Sequence, residues 1–243
     1  MAKKIYITSI KGGTGVSSCA AGLGFALAAA GERTLIADGD VYYGGGLIVG
    51  GCANMQTYTL ADYERGACRA KQMLVPHPKN TNLSFVSSLG LKNAEAADRA
   101  LAELDGLFDY ILLDKLPTPY CDEALIVTDP YMPSVKSADR CKAILSDGGI
   151  RDIGLIVNKL NGGQIINGEV MTAQEIATVL RLPLKAVIPE DFSMPLGRCR
   201  KTTQKAFALA AEVVRARSAN VCNVVRRYFG PVGYIKRKVR ETL

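Results

Sequence analysis

Short, uninterrupted apolar runs alternate along the chain with segments whose apolar residues recur at helical spacing. Ile5–Ile10 reads as a strand, and the Ala-, Gly- and Leu-rich stretch Cys19–Ala30 behind it as a helix. Arg33–Asp38 is a second strand, closed by a carboxylate; a glycine-rich loop follows through Gly51, then a polar helical stretch near Leu60–Arg69. Leu83–Ser87, Asp109–Asp114, Glu123–Thr128, Ile153–Asn158 and Leu184–Ile188 read as further strands. Helical patterns lie over Ala94–Leu104, Ser134–Ser146, Thr172–Leu180 and Thr203–Arg217, the last with Phe207, Ala210, Val213 and Val214 on one face. Strands apolar on both sides and separated by helices belong in a parallel sheet covered on both faces. Right-handed crossovers wind that sheet doubly. The predicted fold class is therefore α/β, a doubly wound, mostly parallel sheet. Ligands of such sheets sit at the carboxyl ends of the strands, and Lys11, Asp38, Asp114 and Asn158 all fall there.

The first strand–helix junction is KGGTGVSS, Lys11 to Ser18. A glycine-rich turn at that place leaves backbone N–H groups without partners at the positive end of a helix dipole, which makes a phosphate cradle. Gly15 and Ser17 fit the phosphate-loop pattern G-x-x-x-x-G-K-[ST], but Val16 stands where the pattern has lysine and Ile10 where it has its first glycine. Lys11 is a second lysine, at the other end of the loop. A plain packing turn has the same composition. What separates the two readings is the company the loop keeps. Asp114 closes an apolar strand as a magnesium-supporting acid does, Asp38 and Asp40 add acidic points, and Ser17 is placed to offer its hydroxyl to the metal.

At 243 residues and 48% apolar content, one large domain with a sizeable core is expected. No apolar window is long enough to cross a membrane, and the amino terminus does not read as a secretory signal. The seven cysteines are scattered without a C-x-x-C pair, which points to reduced thiols rather than a disulfide frame or zinc site. His77, between two prolines, reads as a surface residue. The net charge of +7 is localised: residues 215–243 hold eight of the basic side chains and one acid, leaving 22 of each sign in the body. Such a tail suits an anionic partner, lipid or nucleic acid.

Taken together, the loop Lys11–Ser18, GERTLIADGD (Gly31–Asp40), FDYILLD (Phe108–Asp114), IVTDPYMPSVKSADR (Ile126–Arg140) and Ile156–Asp191 with its V-I-P-E-D ending resemble, in order, the MinD/ParA family of deviant Walker A ATPases, and the later segments its MinD branch. The resemblance implies a P-loop NTPase fold over residues 1–217, ATP or ADP with Mg²⁺ as cofactors, and an ATP-dependent homodimer. It implies that Lys11 reaches the partner subunit's phosphates and that Gly12, Gly13, Thr14, Gly15 and Val16 give amides to the phosphates. Ser18 would contact the α-phosphate. Ser17, Asp38 and Asp114 would support the metal, Asp40 would help place the attacking water, and Asn158 and Pro189 would fall by the adenine ring. The function it implies is that of a membrane-associated spatial regulator of bacterial division-site placement, with a non-hydrolysing scaffold and a ParA-like DNA partition or pilus- or flagellum-positioning ATPase as the alternatives; division-regulator proteins are possible partners, with DNA less favoured.

Three departures matter. Val16 removes a charged phosphate contact worth about 1.5–3 kcal/mol, so weakened or absent hydrolysis is expected. Lys115 follows Asp114 directly; it is either a replacement cation or a solvated lysine at a strand end. The segment between Asp114 and Asp122 is shorter than the family's switch region. Finally, residues 218–243 form a basic tail in which Val221, Val224, Val225, Tyr228 and Phe229 repeat at helical spacing, followed after a Gly-Pro break by Val232, Ile235 and Val239 beside Lys236, Arg237, Lys238 and Arg240. This reads as an interfacial helix on anionic lipid, giving a cytoplasmic protein peripheral on the inner membrane face. Docking on the body and non-specific DNA contact are the alternatives.

Overall fold

The computed structural model describes residues 1–42, 44–116 and 121–226. In chain order its main elements are β1 (Lys3–Thr8), α1 (Val16–Ala29), β2 (Thr34–Asp38), α2 (Gly45–Val49), α3 (Leu60–Glu64), β3 (Val75–Pro76), β4 (Leu83–Ser87), α4 (Ala94–Leu104), β5 (Tyr110–Asp114), β6 (Glu123–Thr128), α5 (Met132–Asp147), β7 (Ile153–Leu160), α6 (Gly162–Ile166), α7 (Ala173–Leu180), β8 (Leu184–Pro189) and α8 (Lys201–Val214). They build one eight-stranded sheet in the order β3-β4-β2-β5-β1-β6-β7-β8. Every pairing is parallel except the short edge strand β3 against β4. The doubly wound α/β expectation holds.

Alternation along the strands divides the core between the two faces, since successive side chains point to opposite sides. Ile36 and Leu112 pack with α1 and α8, whereas their neighbours Leu35, Ala37, Ile111 and Leu113 pack with α4. Ala124, Ile126, Leu155 and Val157 take α5 and α7 on that second face. The sheet is therefore packed on both faces, and the acids Asp38 and Asp114 lie at strand ends.

Several expectations are corrected. Ile10 lies outside β1, about half exposed, because pairing to β6 stops at Thr8. The glycine-rich loop after β2 contains the short helix α2. His77 is not simply a surface group: its ring meets Phe25 edge-on, with centroids 5.0 Å apart. The apolar stripe of the tail does not start as a helix, since Val221–Val225 has no helical backbone. Val224 is buried, and Val221 and Val225 pack beside it against the β6–β7 face. This first part of the tail covers the core. The rest of the predicted interfacial helix, 227–243, lies outside the described residues. No helix among the described residues is long and apolar enough to cross a membrane, and all seven cysteines are free.

Candidate functional site

The loop between β1 and α1 owes its shape to Gly13 and Gly15, with φ of 80° and 92°. Gly15 is the N-cap of α1 and supplies no side-chain cap. The first helical bond runs from the Cys19 N–H to the Gly15 carbonyl at 2.9 Å, so the N–H groups of Val16, Ser17 and Ser18 have no helical partner. No acidic side chain occupies the first turn. The positive end of a 14-residue helix thus opens onto the loop uncompensated.

Val16 takes no part in that opening as a cation would. It is 3% exposed and belongs to the core cluster that includes Ile7 and Leu23. Lys11, Thr14, Ser17, Lys115, Asn158 and Lys159 are among the residues lining a cavity of about 220 Å³ over the loop. That volume suits a phosphate chain better than a whole nucleotide.

The acids arrive on adjacent strands. Asp38 of β2 and Asp114 of β5 are register partners. Gly39 makes their close approach possible: its N–H bonds the Asp114 carbonyl at 2.8 Å, and a Cβ there would meet the Leu116 nitrogen at 2.5 Å. Asp38 is engaged structurally. Its oxygens accept from the N–H groups of Asp40 (3.0 Å), Gly46 (2.8 Å) and Leu47 (3.3 Å), pinning α2. Burial nonetheless raises its carboxyl, outweighing those bonds. Asp40 accepts from the Tyr42 N–H at 3.0 Å. A Cβ on Gly45 would stand 3.5 Å from Asp40 Oδ2 and 3.6 Å from Ser17 Oγ, so these two groups flank one point.

Asp114 differs from both. It is 1% exposed, and neither oxygen has a hydrogen-bond partner among the described residues. Burial pushes its carboxyl up to about 7, with the nearby Ser17 hydroxyl pulling the other way and Asp38 and Asp40 adding to the rise. A buried carboxylate left unsatisfied is costly; a cation beside Ser17 would satisfy it. Among the described residues no three His, Cys, Asp or Glu side chains form a metal site by themselves. Mg²⁺ is commonly held by one or two carboxylates with phosphate oxygens and water completing the shell, so the residues present fit that ion together with a phosphate ligand.

The remaining predicted residues distribute as follows. Lys11 Nζ stands 3.5 Å from Asp129 Oδ2. Gly12 and Gly13 lie exposed in the loop and Ser18 half-buried in the first turn of α1. Asn158 Nδ2 donates to the Thr14 carbonyl at 2.8 Å, tying β7 to the loop. Pro189 closes β8, in register with Leu160 of β7. The sequence reading missed Lys159, whose Nζ donates to the Gly13 carbonyl at 2.6 Å. It also missed Asp129 as the partner of Lys11. A basic residue directly after the strand-end Asn158 was the available signal for the first; nothing local marked the second.

A doubly wound parallel sheet, a glycine loop at its central strand–helix junction and acids on the neighbouring strand ends define a nucleotide-binding protein of the phosphate-loop class. The chain belongs to the CobQ/CobB/MinD/ParA nucleotide binding domain family, whose model matches residues 5–201. It is 32% identical over 207 residues to the septum site-determining protein MinD of Thermotoga maritima, spanning 79% of this chain and 76% of that protein. Its fold is similar to that of a chain in the MinC:MinD cell division protein complex of Aquifex aeolicus (TM-score 0.83, 24% identity, 89% of this chain and 97% of that one). It is also similar to the Pyrococcus horikoshii septum site-determining protein MinD complexed with Mg-ADP (TM-score 0.76, 24% identity, 88% and 96%).

Proposed function

We infer that this chain is a MinD-like magnesium-nucleotide-binding protein that dimerises on ATP, attaches peripherally to the inner face of the membrane and takes part in bacterial division-site placement, with hydrolysis weakened or lost through Val16. The observation that carries the reading is Asp114, a buried carboxylate whose oxygens have no hydrogen-bond partner among the described residues, beside Ser17 and an uncapped glycine loop. The amides from Gly12 to Ser18 would hold the phosphates. Ser17 and Asp114 would hold Mg²⁺, with Asp38 fixing the loop beside them. The metal, when bound, neutralises charge on the phosphate oxygens. Asp40, across from Ser17, would orient water, and Lys11 would turn to the partner subunit's phosphates. Asn158 and Pro189, on the ends of neighbouring strands, would lie toward the adenine.

Weakened turnover follows from Val16, which fills the core where the pattern places an ammonium. A division-regulator protein is the corresponding partner proposal, since the Aquifex MinD is named in a complex with MinC. The basic segment 227–243 would supply the membrane attachment, each basic side chain near anionic lipid contributing about 1 kcal/mol.

Calorimetry with Mg²⁺ and ATP tests the binding reading; absence of heat at millimolar ATP removes it. Phosphate release with and without anionic vesicles, against Lys11→Ala, tests turnover, which is expected to be close to that control. Vesicle sedimentation of the full chain against one ending at Arg226 tests attachment. Equal pelleting would end the membrane proposal, and salt-sensitive retention of the full chain alone on duplex DNA would redirect it to nucleic acid.

A further inference from the structure

Non-glycine residues avoid positive φ because Cβ crowds the backbone, and such outliers gather at functional sites. Among the described residues four adopt it: Lys115 (55°), Lys159 (56°), Arg181 (51°) and Ala216 (56°). Arg181 is the C-cap of α7, and Ala216 lies two residues beyond the end of α8, both ordinary places for that conformation. The other two are lysines at strand ends, and both line the cavity over the loop.

Lys159 shows what the distortion achieves. Asn158 and Lys159 are consecutive in β7, where neighbouring side chains should point to opposite sides. The β7–β8 register is irregular between Val157 and Leu160. With the left-handed turn at Lys159, both side chains reach the same loop. Asn158 Nδ2 bonds the Thr14 carbonyl at 2.8 Å, and Lys159 Nζ bonds the Gly13 carbonyl at 2.6 Å. An ammonium carries three donors, so this bond leaves two for a ligand. Among the described residues neither Lys159 nor Lys115 forms an ion pair with a carboxylate. Among the described residues the one carboxylate lining the cavity, Asp191, is committed to Ser193, Thr203 and the Arg200 N–H.

We propose that Lys159, anchored on the Gly13 carbonyl, supplies the phosphate-loop cation that Val16 lacks, serving a di- or triphosphate ligand, with Lys115 as a second cation in the same cavity. The role rests on the nucleotide-binding reading above and gives the missing charge a location in this chain. The cation then stands at the end of β7 and not at the helix start, with its charge at the loop.

The test is calorimetry on the full chain with Mg-ATP, alongside competition by AMP, for the wild type and for Lys159→Gln, Lys159→Gly, Lys159→Arg and Lys115→Gln. Losing a charged phosphate contact weakens binding about ten- to a hundredfold. Lys159→Gln and Lys159→Gly are both expected to lose Mg-ATP by that factor while AMP competes within about twofold of wild type. Lys159→Gly relieves the positive φ, so its melting temperature should equal or exceed wild type. Lys159→Arg should recover most of the affinity, Val16→Lys added to Lys159→Gln part of it, and Lys115→Gln should weaken Mg-ATP less than Lys159→Gln does. If Lys159→Gln and Lys159→Gly bind Mg-ATP as the wild type does, the proposal fails and the nucleotide reading stands. Parallel loss of ATP, AMP and thermal stability would make Lys159 only a brace for the loop and also overturn it. A wild type that binds no Mg-ATP removes the nucleotide reading first and this assignment with it.

Discussion

Lys11 and Asp129 face each other across the mouth of the loop, Nζ to Oδ2 at 3.5 Å, with the carboxylate buried and the lysine side chain 41% exposed. Asp129 follows β6 and also accepts from the Tyr131 N–H at 3.2 Å. The pair therefore holds within its own subunit the lysine proposed to reach across to a second one. A half-exposed ion pair of this kind contributes about 0.2–1 kcal/mol, little enough for a triphosphate in a partner subunit to displace. Asp129→Asn keeps the Tyr131 bond and drops the charge. It should raise the dimer fraction seen by sedimentation with Mg-ATP, and Lys11→Ala should abolish that dimer. Unchanged dimerisation in Asp129→Asn would show that the pair restrains nothing.

Gly15 is constrained twice. Its φ of 92° disfavours any side chain, and a Cβ would stand 2.4 Å from Asn158 Nδ2. Gly15→Ala should cost about 2 kcal/mol or more in urea unfolding and break the Asn158–Thr14 bond that ties β7 to the loop. In the Gly15→Ala, Asn158→Ala pair the clash disappears and the backbone penalty remains, so the double variant should fall short of the sum of the singles. Additive losses would show that the two residues do not couple.

Asp114 predicts a trade of stability against ligand binding. Its folded carboxyl lies near 7, raised from 3.8. A raised carboxylate holds its proton longer when folded, so the metal-free fold loses stability as pH climbs from about 4 through 7. Asp114→Asn removes that loss. Its melting temperature without metal should exceed the wild type's at pH 8, with the gap shrinking as pH falls toward 4, while magnesium-dependent nucleotide affinity drops. A gap of constant size across pH would mean that the carboxylate is not the source of the difference.

Asp191 carries the opposite sign. Burial alone would raise its carboxyl, but bonds from Ser193, the Arg200 N–H and Thr203 outweigh that and hold it at about 2, below the ordinary 3.8. Its stabilisation is complete above about pH 4 and disappears as pH falls toward 2, an effect of about 2 kcal/mol. Acid titration of unfolding should show this slope in the wild type and a flatter one in Asp191→Asn. Because these bonds fix the start of α8, the helix should lose protection from hydrogen exchange in the same pH window.

The tail gives a prediction that depends on where it is cut. Val224 is buried and packs with Val221 and Val225 on the β6–β7 face. Ending the chain at Arg217 should lower thermal stability relative to ending it at Arg226, which keeps the described packing. Equal melting temperatures for the two truncations would show that residues 218–226 add nothing to the core.

Much of this molecule was legible in its sequence because most of its strands are apolar on both sides. Leu83–Ser87 and Glu123–Thr128 match their predicted bounds, and the carboxylates that close β2 and β5 put the candidate site at the carboxyl end of the sheet. Local composition also showed the glycine loop and its missing lysine. What it did not show depends on contacts between residues far apart in the chain. Lys159 reaches Gly13 across 146 positions, through a left-handed turn that no propensity of lysine announces. Asp129 takes Lys11 because β6 lies beside β1. Val221 and Val225 formed a helical pattern that the core claimed for itself without a helix. Periodicity reports which face of an element is apolar. Only the assembled sheet decides which charges stand within bonding distance, because charge interactions depend on separation in space and not on spacing along the chain.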